Sequence, residues 1–153
     1  MLPEHRDIQR WIKEKYSAQF EVLAEIDKTN YLPDRDRHWY QPDVVLRSRK
    51  NPKNIRYIIE VENDPMRKAI VGACLLADCS VKEMCSEPAA LIFIVYSEIG
   101  RRQIKNFKDR IEVIKGRLTH LSSIQAVTVE EFKRGKGLEI RPTRKKRAEA
   151  IQS

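Results

Sequence analysis

The chain has 153 residues, 41% of them hydrophobic, with 5 Gly and 7 Pro, which suits one compact domain on an ordinary core. No apolar run approaches the roughly 20 residues that span a bilayer. The opening MLPEHRDIQR is too charged for a secretory signal, so an intracellular protein is expected, cytoplasmic or, in a eukaryote, nuclear.

The net charge of +8 is uneven. Residues 133–153 hold eight Lys or Arg against Glu139 and Glu149, a balance of +6, and the other 132 residues carry only +2. This divides the chain into a domain over 1–132 and a basic tail over 133–153. Arg144, Lys145, Lys146 and Arg147 are the densest part of that tail. Such a run attracts phosphate backbones through counterion release, and it also describes a solvated tail or a nuclear import signal.

Ile8, Trp11, Ile12 and Tyr16 fall at helical spacing, so a helix is expected over 4–16 with one buried stripe. Residues 20–27, FEVLAEID, alternate as a half-buried strand. Residues 28–40 read as an exposed loop, with Asn30, Pro33 and the charge burst DRDRH. Asp34, Asp36 and His38 there imitate metal ligands, but alternating signs make a self-neutralising loop the simpler reading. Trp39 and Tyr40 suit packing at the sheet edge or stacking on an unpaired base.

A second strand, PDVVLRS, leads through the Asn-Pro turn of RKNPKN into a third, YIIEVEN, at 57–63. MRKAIVGACLLADC, 66–79, is apolar nearly all round, as a helix against a sheet should be, with Asp64 placed to cap it. ALIFIVY at 90–96 is an uninterrupted β-rich run, typical of a central strand covered on both faces. An amphipathic helix over 101–118 and a strand at 124–129 follow. Hairpin-linked strands followed by β-α-β-α-β imply an α/β fold with a mixed central sheet flanked by helices.

Cys74, Cys79 and Cys85 form no C-x-x-C pair and read as small residues in a reduced compartment. Tyr96 and Glu98, at the end of the central strand, read as packing residues, although strand ends of α/β sheets often border sites. No P-loop, dinucleotide glycine pattern, G-x-S-x-G or H-E-x-x-H occurs, which disfavours those enzyme classes.

The chemistry concentrates in IIEVEND, 58–64. If the hairpin folds symmetrically about the Asn51–Pro52 peptide, Asp43 opposes Glu60, and period two puts Glu62 on the same face. Three carboxylates so placed raise one another's pKa or require a cation, and an all-oxygen set suits Mg²⁺ or Mn²⁺. The alternative is a wet face with Glu60 and Glu62 beside Arg47 or Arg49. The apolar neighbours Ile58, Ile59 and Val61 argue for burial instead.

Pro42-Asp43 followed by Glu60-Val61-Glu62 resembles the PD-(D/E)xK nuclease superfamily, over roughly residues 4–100. The resemblance implies a restriction endonuclease-like αβββαβ core, with divalent metal held by Asp43, Glu60 and the main-chain carbonyl of Val61. An acid in the first helix often completes such sites, and Glu4 is preferred here over Glu14. The departure is Glu62, where the family carries Lys. Glu62 can bind a second ion or serve as base, and Lys68 in the following helix offers a relocated cation.

The expected function is therefore Mg²⁺- or Mn²⁺-dependent phosphodiester hydrolysis, on DNA rather than RNA, with no membrane partner and a homodimer as a family-level expectation. The alternatives are a non-cleaving nucleic-acid-binding module on the same scaffold and an adaptor subunit.

Overall fold

The computed structural model describes residues 3–32, 40–64, 66–85 and 87–138. In chain order the elements are α1 (Pro3–Tyr16), β1 (Glu21–Ala24), a 3₁₀ turn (Glu25–Asp27), β2 (Val44–Arg47), β3 (Ile55–Glu62), α2 (Arg67–Met84), β4 (Ala89–Val95), α3 (Glu98–Arg102), α4 (Ile104–Lys115), β5 (Leu121–Thr128) and α5 (Val129–Lys133). The five strands form one mixed sheet in sequence order. β1, β2 and β3 are antiparallel, and β3, β4 and β5 run parallel.

Alternating side chains of β2 and β3 feed two separate apolar layers. Val44, Leu46, Tyr57, Ile59 and Val61 pack under α1 and α5 with Ile8, Ile12, Tyr16 and Phe132. Val45, Ile55 and Ile58 pack under α2 and α4 with Ile70, Cys74, Phe107 and Ile111. β4 is buried along its whole length because both layers cover it, which is why its sequence shows no polar alternation. The described structure continues past Phe132, and Leu138 is buried in the α1 layer.

Several element limits differ from those the sequence suggests, each for a local reason. The strand expected over 20–27 ends at Ala24, because the chain turns through Glu25–Asp27 into a left-handed Lys28 at φ 56°. The helix expected over 101–118 is two, α3 and α4, meeting at Gln103. Asp64 does not cap α2. Met66 occupies the N-cap, and no side chain accepts a hydrogen bond there.

The β2–β3 register is Val44 opposite Ile59, Val45 opposite Ile58 and Leu46 opposite Tyr57. Extended by one residue, it sets Asp43 against Glu60. The turn itself is not symmetric about the Asn51–Pro52 peptide. Asn54 N–H donates to the Asn51 carbonyl at 2.9 Å, and Ser48 N–H to the Asn54 carbonyl at 2.9 Å, a closure centred on Asn51. Arg47 then faces Ile55, and the register shifts between Leu46 and Arg47, so Arg56 is the extra residue of a β-bulge. The bulge restores, beyond Leu46, the pairing that brings the acids together.

Candidate metal centre

Asp43 immediately precedes β2, at the end of the sheet, where groups from both layers come within reach. Its Oδ2 accepts the Val61 N–H at 2.6 Å. Opposite Val61 the register places Pro42, which has no N–H to continue the ladder. In a strand, the N–H and C=O of one residue point to the same side. The Val61 carbonyl therefore shares the Asp43 side of β3, with no donor from Pro42 to occupy it. The Glu62 carbonyl points the other way and accepts from Tyr96 N–H at 3.1 Å. Asn30 holds the Pro42 carbonyl with a 2.7 Å hydrogen bond, fixing the approach to Asp43.

The other oxygen of Asp43, Oδ1, lies 3.1 Å from His5 Nε2. That nitrogen is buried and makes no aligned hydrogen bond, although Glu25 Oε2 is also 3.9 Å away. Among the described residues, donor atoms of His5, Glu25 and Asp43 all lie within 4.8 Å of one another. Gln9 orients part of this group: its Nε2 donates to Glu25 Oε2 at 3.3 Å, while its Oε1 accepts the Ile26 N–H at 3.0 Å. Outer hydrogen bonds of this kind are what hold ligating side chains in place.

Glu60 is buried on the α2 side, where the Tyr40 hydroxyl donates to its Oε1 at 2.6 Å. Burial pushes its carboxyl well above the usual carboxylate range, and the neighbouring charge of Asp43 adds to this, while the Tyr40 hydrogen bond acts in the opposite sense. Burial and the Asp43 charge likewise push Glu62 up to about 7. Glu25 is raised by burial and by its contact with Asp43. For His5, burial favours the neutral ring, but Asp43, Glu25 and Glu62 together outweigh it and raise the pKa. Burial raises the Cys74 thiol to about 12, with the charge of Glu60 also contributing.

The acids do not sit on a wet face beside arginines. Arg47 is engaged by Glu21 through two hydrogen bonds of 2.9 and 2.8 Å, and Arg49 donates to the Ser17 carbonyl. Nor is Tyr40 a free stacking surface, since it is buried against Glu60.

The structure thus brings Asp43, Glu60, Glu62 and the Val61 main chain to one end of the sheet. Glu4 is exposed and lines a surface groove with Asp7, Trp11 and Lys133, and its charge reaches Tyr96, which also feels Glu62 and Asp43. Its neighbour His5 takes the position against Asp43. Helical spacing alone does not separate the two, since Glu4 stands four residues and His5 three before Ile8 of the buried stripe. Glu25 carried no sequence signal either. Lys68 is exposed on the first turn of α2 and makes no ion pair with Glu60 or Glu62 among the described residues. Asp34, Asp36, His38 and Trp39 lie outside the described residues, as do Arg144, Lys145, Lys146 and Arg147.

The three cysteines are unpaired and belong to no metal-ligating group among the described residues. No described helix is long and apolar enough to cross a membrane. Comparison with protein-family models, curated proteins and solved structures finds no match to this chain.

Proposed function

We propose that this chain is a divalent-metal-dependent nuclease of the PD-(D/E)xK type, built on a restriction endonuclease-like αβββαβ core and hydrolysing phosphodiester bonds in DNA rather than RNA. The observation that carries this reading is the convergence of Glu25, Glu60, Glu62 and His5 on Asp43 at the end of the sheet. A group of acids this close and this buried is costly unless a cation or shared protons neutralise it.

The donor set fits a divalent ion. His5 Nε2 is buried without an aligned partner, beside carboxylate oxygens of Asp43 and Glu25. In this reading Asp43, His5 and Glu25 hold the ion, with Glu60 and the Val61 carbonyl on the adjoining side. A nitrogen donor among oxygens suits Mn²⁺ better than Mg²⁺, though the carboxylates are ligands for both. When bound, the ion supplies a Lewis acid for the scissile phosphate and lowers the pKa of water.

Glu62 replaces the family's lysine and takes the role of proton acceptor. Gln9 and Tyr40 orient Glu25 and Glu60. The basic tail over 133–153 supplies affinity for the phosphate backbone without reading its sequence.

The test is incubation of supercoiled plasmid and branched DNA with Mg²⁺ or Mn²⁺. Cutting is expected, stronger with Mn²⁺, and lost by at least about 100-fold in Asp43→Asn, which keeps an acceptor for the Val61 N–H. Cutting that survives in Asp43→Asn and Glu60→Gln rejects this site. A second reading, a non-cleaving DNA-binding module, draws on Glu62 in place of lysine and on the Tyr40 hydroxyl that occupies one Glu60 oxygen. Salt-dependent DNA binding without cutting under any divalent ion favours it.

A further inference from the structure

Tyr96 stands one residue beyond β4, at the same end of the sheet as the metal centre. Its N–H donates to the Glu62 carbonyl at 3.1 Å, so the chain is still tied to β3 there. Its ring is buried in the α1 layer and meets the His5 ring edge-on, with 5.9 Å between centroids and 62° between planes. The hydroxyl is placed differently. Among the described residues it makes no hydrogen bond, and it is not sealed from solvent. Burial raises its pKa, and the charges of Glu62, Glu4 and Asp43 add to that, so the oxygen lies within reach of the acids of the centre. The ring alone accounts for packing; the hydroxyl has no use in the folded chain by itself.

The turn that follows is strained. Ser97 sits at φ 71° and ψ 158°, a region that residues other than glycine rarely enter, and its side chain accepts the Gly100 N–H at 3.1 Å to start α3. Such outliers persist only where the surroundings fix them, and they gather where a side chain must be held in one place. The ladder, the His5 contact and this turn hold Tyr96 from three sides. The centre, in contrast, is short of donors. Asp43, Glu25, Glu60 and Glu62 only accept when ionised. The Tyr40 hydroxyl donates to Glu60, Gln9 Nε2 to Glu25 and Asn30 Nδ2 to the Pro42 carbonyl. A phenol keeps its proton at neutrality and can offer it to an anion.

We infer that Tyr96 is a further catalytic residue, whose hydroxyl donates a hydrogen bond to a non-bridging oxygen of the phosphate bound at the metal centre. The inference rests on the phosphodiester reading proposed above and adds to it a residue that touches the substrate. No proton is transferred. The hydrogen bond strengthens as negative charge gathers on that oxygen during attack at phosphorus, so it acts on turnover more than on binding of the DNA. The two sides of the phosphate then meet different chemistry: carboxylates and His5 on the side of the ion, and a neutral, fixed donor from the end of β4.

Tyr96→Phe tests this, because it keeps the ring against His5 and removes only the hydroxyl. With no partner lost in the folded chain, the urea midpoint and the Mn²⁺ affinity should stay as they are. Calorimetry of inorganic phosphate added to the Mn²⁺-loaded chain should show binding weaker by about tenfold. Plasmid cutting should slow by about 100-fold in kcat, with a far smaller change in KM. A chain that cuts DNA equally well with Tyr96→Phe overturns the inference and leaves the nuclease reading standing. Phosphate binding that depends on Tyr96 in a chain that cuts no DNA rejects the nuclease reading and keeps the contact. A variant whose unfolding midpoint falls along with its activity makes Tyr96 a packing residue, and phosphate binding and cutting that both ignore the change leave the hydroxyl without a role; either result overturns the inference.

Discussion

The Tyr40 hydroxyl donates a 2.6 Å hydrogen bond to Glu60 Oε1, although the two residues lie 20 apart in sequence and both are buried. Tyr40 is anchored independently by paired backbone hydrogen bonds with Leu32, of 2.8 and 3.2 Å. A fixed donor therefore sets which oxygen of Glu60 is engaged and which faces Asp43. Tyr40→Phe keeps the ring and leaves a buried acceptor without its donor. The expected cost is about 1 to 3 kcal/mol, read from urea unfolding at pH 7. Because the hydrogen bond favours the charged acid, its loss should also move the Glu60 pKa further up.

His5→Ala separates the two kinds of ion. It removes the nitrogen donor and leaves every carboxylate in place, so Mn²⁺ binding followed by calorimetry or electron paramagnetic resonance should weaken by roughly tenfold or more. Mg²⁺, which prefers oxygen ligands, should lose much less. Equal losses for both ions would place His5 outside the ligand set.

The raised carboxyls make the metal-free chain pH-sensitive in a definite direction. Glu62 titrates at about 7 in the folded chain against an ordinary 4.5, so folding favours its protonated form. That contribution is complete below pH 4.5 and is lost as the pH rises through 7. Glu60 and His5, both raised, act in the same sense. Unfolding midpoints in chelator should fall between pH 5 and 8, with Glu62 contributing up to about 3 kcal/mol, and Glu62→Gln should flatten that slope. A divalent ion should offset the loss at high pH, because it binds the ionised acids.

Gly100 closes the same end of the sheet from α3. A Cβ there would lie 2.8 Å from Val95 Cγ1 and 3.1 Å from the Asn63 carbonyl, next to Glu62. Gly100→Ala must displace either a core valine or the backbone that follows β3. A loss of about 1 to 3 kcal/mol in unfolding free energy is expected. Because Asn63 adjoins Glu62, any cutting activity should fall with it, whereas Gly116→Ala, which meets nothing within 4 Å, should leave both unchanged.

The element order, the two-faced helix α1 and the fully buried β4 are legible in the chain because each rests on a local period of 3.6 or 2 residues. The meeting of Asp43 with Glu60 is legible for the same reason, since one hairpin joins their strands over a short span. What the local pattern does not contain is the half-step shift at Asn51 and its correction by the Arg56 bulge, which leave the pairing beyond Leu46 intact.

The remaining members of the centre are decided by packing between elements distant along the chain. Periodicity says that α1 has a buried stripe, but not that its first turn lies over the start of β2. Only that placement sets His5 rather than Glu4 against Asp43. Glu25 joins because the chain leaves β1 in a 3₁₀ turn, and Tyr40 because its bridge to Leu32 carries it under the sheet. A strand or helix pattern reports which side of an element is apolar. Which charged groups then share one desolvated space depends on how the layers close over the sheet, and burial makes that choice costly to get wrong.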